Sequence, residues 1–335
     1  MKGHIRELGK NHWEIFVDLR RGPDRKRKQT SKTIHGKRSE ADAMLRKMLS
    51  EVDAGLSHDS STSTVGQFLR RWLDDVAKVS VTPATFEKYE EAVDKHLTPA
   101  LGHIKLTDPQ PSDVQAVYAR WQTSGRRDKK KGGFAAATIR KHHAVLRQAL
   151  QTALQWSFVT RNVATFVRLP RSQQESAKRH LSPVECWLLL AEAKGSRVRT
   201  PLLVLLETGM RRGELLALRW QDLDVKAGRL RIQRSLECTT SLGLRFKSPK
   251  SGKSRVISLS EQAVAALEAH RDEQWVEREK CVEVCGTYAA MDLVFPMPWG
   301  EPWDPRAFSL AFRRIAATPA SEASGRTRCA IRRRR

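Results

Sequence analysis

Between residues 64 and 156, apolar side chains return at i, i+3 and i+4 spacing in four separate runs, a pattern that helices packed on one another can bury. Val65, Phe68, Leu69, Trp72, Leu73 and Val76 make the first stripe, behind a Thr64/Gln67 capping box. Thr82-Pro83 opens the second, with Phe86, Tyr89, Val93 and Leu97 on one face. The third carries Val114, Val117, Tyr118 and Trp121, with Ser112 and Gln115 as its cap. Ile139, Leu146, Leu150 and Leu154 line a fourth helix from about Ala136 to Trp156. These runs predict a helical domain over residues 63–170 in which the aromatic residues are core rather than base-stacking platforms.

The flanks follow other periods. In "HWEIFVDLRR", Trp13, Ile15 and Val17 alternate as in a half-buried strand, and "KTIHG" predicts a second strand paired to it. "RSEADAMLRKMLSEVDAG" reads as a helix ended by Gly55, so residues 1–58 form a small module joined to the next domain by "SHDSSTS". From about residue 180, Ser182, Pro183 and Glu185 signal a helix start, and "TPLLVLLETG" is a buried helix ending at Gly209. "RRGELLALRW" continues as another helix, "GRLRIQRSL", "SRVISLS" and "DLVF" read as strands, and Ser260 opens a helix through about Glu283. Asp304-Pro305 opens a last helix with Phe308, Phe312 and Ile315 on one face. The predicted fold class is α+β, mainly α with small β-sheets. Residues 317–335 lack apolar periodicity and read as a disordered basic tail.

Charge narrows the partners. The chain has 61 Lys+Arg against 37 Asp+Glu, a net charge of +24, which implies a polyanion and most readily nucleic acid. Arg20, Arg21, Arg25, Lys26, Arg27, Lys28 and Lys32 surround a single Asp24. Arg126, Arg127, Lys129, Lys130 and Lys131 crowd the loop "SGRRDKKKGG". Both clusters suit phosphate contact, and a solvated hairpin tip or loop is the plainer alternative. No apolar run approaches the roughly 18 residues that span a bilayer, so no membrane partner is expected. Cys186, Cys238, Cys281, Cys285 and Cys329 form no C-x-x-C pair and read as reduced thiols in the cytoplasm. His142 and His143 would point about 100° apart on a helix, and no metal site is expected.

One stretch carries more. In "ETGMRRGELLALRW", Arg211 and Arg212 follow Gly209 at a helix start. A guanidinium there can be aimed rigidly at phosphate oxygens, and Glu214, three residues after Arg211, could orient it. Local physics leaves a surface salt bridge equally open.

Extended to "TGMRRGELLALRWQDLD", the stretch resembles the first box of the tyrosine recombinases, the phage integrase family. The match carries T-G-x-R-x-x-E, the Leu-rich segment, Trp220 and Asp222. The resemblance implies a three-stranded N-terminal module for arm-type DNA, a SAM-like core-binding domain and a catalytic domain over residues 180–316. It places the scissile-phosphate grip on Arg211, with Arg212 as a lesser neighbour. It places the general acid on Lys250 of "SPKSGKSRVISL", with Lys253 as competitor. Lys253 and Arg255 also count among the DNA-contacting cations. The implied partner is double-stranded DNA, at core and arm-type sites, with protomers assembling as a tetramer. Bond energy kept in a phosphotyrosyl ester requires no cofactor, neither nucleotide nor metal.

Two family elements are missing from the sequence. No H-x-x-R occurs after residue 300, and the last tyrosine is Tyr288. Tyr89 and Tyr118 fall on apolar faces of the helical domain and Tyr288 precedes "DLVF", so none is expected to be the nucleophile. The reading is therefore a recombinase chain defective in strand cleavage, with a frameshift near codon 317, natural or from sequencing error, as the expected cause and a natural basic tail with a selected role as the rival. A non-enzymatic protein occupying recombination sites is the alternative, and a general nucleic-acid binder is a third. The truncated domain is expected to expose apolar surface from Leu202–Leu206 and Phe308–Ile315 and to unfold in part.

Overall fold

The computed structural model describes residues 3–18, 29–53, 63–124, 132–171, 180–250 and 252–317. Gly55, the "SHDSSTS" segment except Ser63, the basic tail after Ala317 and most of both lysine–arginine clusters lie outside them. The chain divides into two compact units, residues 1–174 and 175–335.

At the start of the first unit lies an antiparallel sheet in the order β1–β2–β3. Its strands are β1 (Gly3–Gly9), β2 (His12–Asp18) and β3 (Gln29–His35). Sequence alternation predicts β2 and β3, whereas β1 has only Ile5 and Leu8 as large apolar residues and no readable alternation. Trp13, Ile15 and Val17 are buried at 7%, 0% and 0% exposure against α1 (Arg38–Asp53). A separate core forms beneath them with Ala41, Met44 and Leu45.

The helical part begins at α2 (Val65–Trp72), where Thr64 Oγ1 accepts from the Gln67 N–H and Gln67 Oε1 accepts from the Thr64 N–H at 2.8 Å. α2 runs on through a π-helical turn, Leu73–Ala77, and α3 (Pro83–Ala92) does the same at Val93–Leu97. These wide turns bring Leu73, Ala77, Val93 and Leu97 into the core. α4 (Pro111–Ser124) and α5 (Ala136–Gln155) complete it. Trp72, Tyr118 and Phe68 are among its most deeply buried side chains, so the aromatics are core as expected.

The predicted α4 cap is corrected. Pro111 starts the helix, leaving Ser112 within its first turn, and the Gln110 N–H donates to Asp113 Oδ2 at 2.9 Å. Gln115 instead bonds the main chain of Arg168, accepting from its N–H at 2.9 Å and donating to its carbonyl at 3.2 Å.

In the second unit, α6 (Pro183–Glu192) starts with the predicted Ser182/Glu185 capping box. α7 (Arg199–Thr208) ends at Gly209, whose φ of +60° is the left-handed conformation that glycine adopts without Cβ strain. A sheet follows in the order β4–β5–β8, from β4 (Leu223–Asp224), β5 (Arg229–Ile232) and β8 (Arg255–Ser258). α9 (Glu261–Cys285) begins at the Ser260 cap, and α10 (Pro305–Ile315) at the Asp304 cap.

Four readings change in this unit. The helix after Arg211 is one turn, α8 (Arg212–Leu215). Ala217 and Leu218 then form i→i+3 bonds, and the chain leaves the helix to pair with residues 292–294. "DLVF" is not a strand: Leu293 makes an isolated bridge to Arg219, although Leu293, Val294 and Phe295 are buried. The predicted strand "GRLRIQRSL" breaks after Ile232, and its Ser235 and Leu236 open a separate hairpin, β6 (Ser235–Thr239) and β7 (Gly243–Lys247). Nor do the two apolar segments lie open. Leu202, Val204, Phe308 and Phe312 are buried in one core and Leu203 is buried as well, while Leu310 on the outer face of α10 is 45% exposed.

Candidate active site

The site is built around a carboxylate. Glu214, in the single turn of α8, has a side chain only 1% exposed. Arg211 occupies the N-cap with extended backbone, so its side chain and main-chain N–H both turn toward Glu214. Arg211 Nη1 donates to Glu214 Oε1 at 2.9 Å, and the Arg211 N–H donates to Oε2 at 2.9 Å. From the first residue of β8, Arg255 Nη1 and Nη2 donate to Oε1 and Oε2 at 3.2 Å and 2.6 Å. Burial pushes the Glu214 carboxyl up, but these bonds from Arg255 and Arg211 outweigh it and hold the group below its ordinary value. The carboxylate thus stays charged.

Arg211 keeps its outer donors in solvent, its side chain being 49% exposed. Arg212 is turned elsewhere: its Nη1 donates to Ser309 Oγ and ties α8 to α10. Gly213 allows the turn to sit against β6, because a Cβ there would meet the Leu236 carbonyl oxygen at 2.6 Å.

Lys250 is exposed at a turn in which the Gly252 N–H donates to the Pro249 carbonyl at 2.8 Å. Lys253 is exposed just before β8. Thus the structure joins Arg211, Glu214 and Arg255 in one network and sets Lys250 and Lys253 on the turn that enters β8. Lys32 lies on β3, its Nζ 3.9 Å from Met44 Sδ of α1. Arg20, Arg21, Arg25, Lys26, Arg27, Lys28, Arg126, Arg127, Lys129, Lys130 and Lys131 lie outside the described residues.

Each tyrosine is engaged in packing. Tyr118 is 1% exposed, its hydroxyl 3.1 Å from His143 Nδ1, and burial raises its pKa. Tyr89 donates to Gln148 at 3.0 Å and stacks on Trp72. Tyr288 lies under the Arg278 guanidinium, 5.5 Å from its ring centroid. Among the described residues no cluster of three His, Cys, Asp or Glu side chains could hold a metal ion.

The Glu214–Arg255 tie was not readable in advance. Arg255 stands 41 residues along the chain from its partner, and nothing in "PKSGKSR" marks one cation as different from the others.

Known proteins resemble this chain in sequence and in fold. Residues 180–328 match the phage integrase family, and residues 64–122 match the phage integrase N-terminal SAM-like domain. The chain belongs to the phage integrase family of tyrosine recombinases, a family of DNA-binding enzymes. It is 25% identical over 323 residues to a tyrosine recombinase XerC-like protein of Caldanaerobacter subterraneus subsp. tengcongensis, covering 92% of this chain and 80% of that one. Its fold is similar to the Tn1549 transposon integrase bound to a circular-intermediate DNA, with a TM-score of 0.64 and 19% identity over 81% of this chain and 85% of that one. It is also similar to lambda integrase in a tetramer bound to a Holliday junction, with a TM-score of 0.55 and 19% identity over 96% and 86% of the two chains. No helix among the described residues is long and apolar enough to cross a membrane.

Proposed function

We propose that this chain is a site-specific recombinase in which Arg211 grips the scissile phosphate and Lys250 protonates the 5′-oxygen that leaves. The observation that carries the reading is the Glu214 carboxylate, buried and charged, which aims Arg211 from the N-terminus of α8 while its outer donors stay in solvent. A guanidinium so held can address two phosphate oxygens at once. An ammonium on an exposed turn can give up a proton as alkoxide charge develops. In the family reaction a tyrosine oxygen attacks phosphorus and the P–O5′ bond breaks. The Lys250 proton ends on O5′, and the phosphodiester energy is kept in the 3′-phosphotyrosyl ester.

Tyr89, Tyr118 and Tyr288 are each engaged in packing and are not read as that tyrosine. Three separate apolar cores support a division into an arm-type module over 1–58, a core-binding domain over 63–170 and a catalytic domain over 180–316. The last two would clamp a core site. Assembly of four protomers on DNA follows the lambda integrase tetramer, and the place of action is the cytoplasm, on chromosomal or mobile DNA.

The test is selection from a randomised duplex library by the full chain. A shared sequence should emerge that is retained as salt is raised, and Arg211→Met should bind it about 10- to 100-fold more weakly. Recovery of unrelated sequences, all released together as salt rises, would leave only a basic protein with no site.

A further inference from the structure

The two arginines divide Glu214 unequally. Arg255 lays its fork across both oxygens, Nη1 on Oε1 at 3.2 Å and Nη2 on Oε2 at 2.6 Å. Arg211 commits one side-chain nitrogen, Nη1 at 2.9 Å, and otherwise uses its main chain. Guanidinium groups are cationic at every relevant pH, so one carboxylate between two of them leaves a net charge of +1. The exposure of that charge is unequal as well: the Arg211 side chain is 49% exposed and that of Arg255 is 37%.

We propose that Arg255 is a positioning residue: by saturating the buried Glu214 carboxylate it keeps Arg211 oriented yet not neutralised, so that Arg211 can take a DNA phosphate. The inference rests on the reading of Arg211 as the phosphate grip. It gives Arg255 a role other than direct DNA contact.

The physical reason is a competition for acceptors. Without Arg255, a carboxylate that is 1% exposed has unfilled lone pairs beside a single guanidinium. Arg211 is the nearest donor able to fill them, by turning the nitrogens that now face solvent inward to form a bidentate 1:1 pair. The cluster then carries no net charge, and a phosphate must break that pair before it can bind. Lysine at 255 would restore the charge but not the planar fork, since an ammonium cannot span both oxygens in the same way. The same bonds fix the first residue of β8, and with it the exit of the Lys250 turn, to the N-terminus of α8.

The experiment measures affinity and its salt dependence for the duplex that the full chain enriches from a randomised library, with folding of each variant followed by circular dichroism. Arg255→Met should weaken binding about tenfold or more. The double variant Glu214→Gln/Arg255→Met should return to within about threefold of the parent, because a neutral amide no longer captures Arg211. Arg211→Met/Arg255→Met should bind no more weakly than Arg211→Met alone. The inference falls if Arg255→Met binds like the parent. It falls equally if its loss persists in the Glu214→Gln background and adds in full to that of Arg211→Met, the behaviour of a direct phosphate contact. Where the Glu214→Gln double variant does not fold, the additivity measurement decides alone. An unimpaired Arg211→Met overturns the grip and this inference together, whereas an impaired Arg211→Met beside an unimpaired Arg255→Met overturns the inference only.

Discussion

The Arg219 guanidinium lies across both oxygens of Asp222, with Nε on Oδ2 and Nη2 on Oδ1 at 3.0 Å each. The two residues close the segment that begins at Arg211, and their side chains are 21% and 4% exposed. This pair therefore belongs to the core more than to the surface. Its partner segment is residues 292–294, paired through the Arg219–Leu293 bridge and the Trp220 N–H to the Asp292 carbonyl at 3.0 Å.

Removing one member of such a pair leaves a charge buried alone, which costs more than the pair itself contributes. Arg219→Met is expected to destabilise the chain by about 2–3 kcal/mol in urea unfolding. A change of under about 0.5 kcal/mol would mean that the pair behaves as a solvated one.

Gly213 is required by approach and not by backbone angle. A Cβ there would lie 2.6 Å from the Leu236 carbonyl oxygen and 2.6 Å from Ser235 Oγ, so α8 or β6 must move. Gly213→Ala should cost about 1–3 kcal/mol and weaken DNA binding by displacing Arg211. Thermal melting together with a duplex titration checks this, and an alanine variant that melts and binds like its parent would refute the close packing.

His142 gives the helical domain an acid limit. His142 is 9% exposed, neither ring nitrogen has a hydrogen-bond partner, and burial, then the charge of His96, push its pKa down to about 4. Glu91 opposes that shift and Lys141 adds to it. A proton therefore prefers the unfolded chain, whose imidazole titrates near 6.5. The stability is fully present above about pH 6.5 and declines as pH falls toward 4, by up to about 3 kcal/mol. His142→Phe should flatten the unfolding midpoint between pH 7 and pH 4; an unchanged slope would assign the acid sensitivity to other groups.

Phe308 and Leu310 stand on opposite faces of α10, 2% and 45% exposed, and Phe308 meets Trp303 edge-on at 5.2 Å. Phe308→Ala should cost about 3–5 kcal/mol by opening a cavity. Leu310→Ser should stay within about 0.5 kcal/mol of the parent. Equal effects at both positions would mean that α10 is not packed on this core.

How much was legible depends on the distance between interacting groups. The Thr64/Gln67 and Ser182/Glu185 caps, the Gly209 stop and the Arg211–Glu214 pair all lie within about one helical turn, and each was visible as a spacing. The β6–β7 hairpin was hidden because its strands carry mixed side chains, and Glu237 holds Arg245 and Lys247 across the ladder rather than along the chain. The one-turn length of α8 was hidden too, since Leu215–Leu218 are apolar enough for a longer helix, whereas the folded chain pairs the main chain of Leu218–Trp220 with residues 292–294.

The sequence by itself determined the α+β class, the four helical stripes, the cationic bias toward a polyanion and the family box with its Arg211–Glu214 spacing. These rest on periodicity, composition and contacts between near neighbours, which a linear string displays. Tertiary structure decided that Arg255 completes the Glu214 cluster and that Arg212 is spent on Ser309, over separations of 41 and 97 residues. No local propensity encodes such partners: a buried carboxylate takes whichever donors the folded chain brings within reach, and only the packing of β8 and α10 settles which arrive.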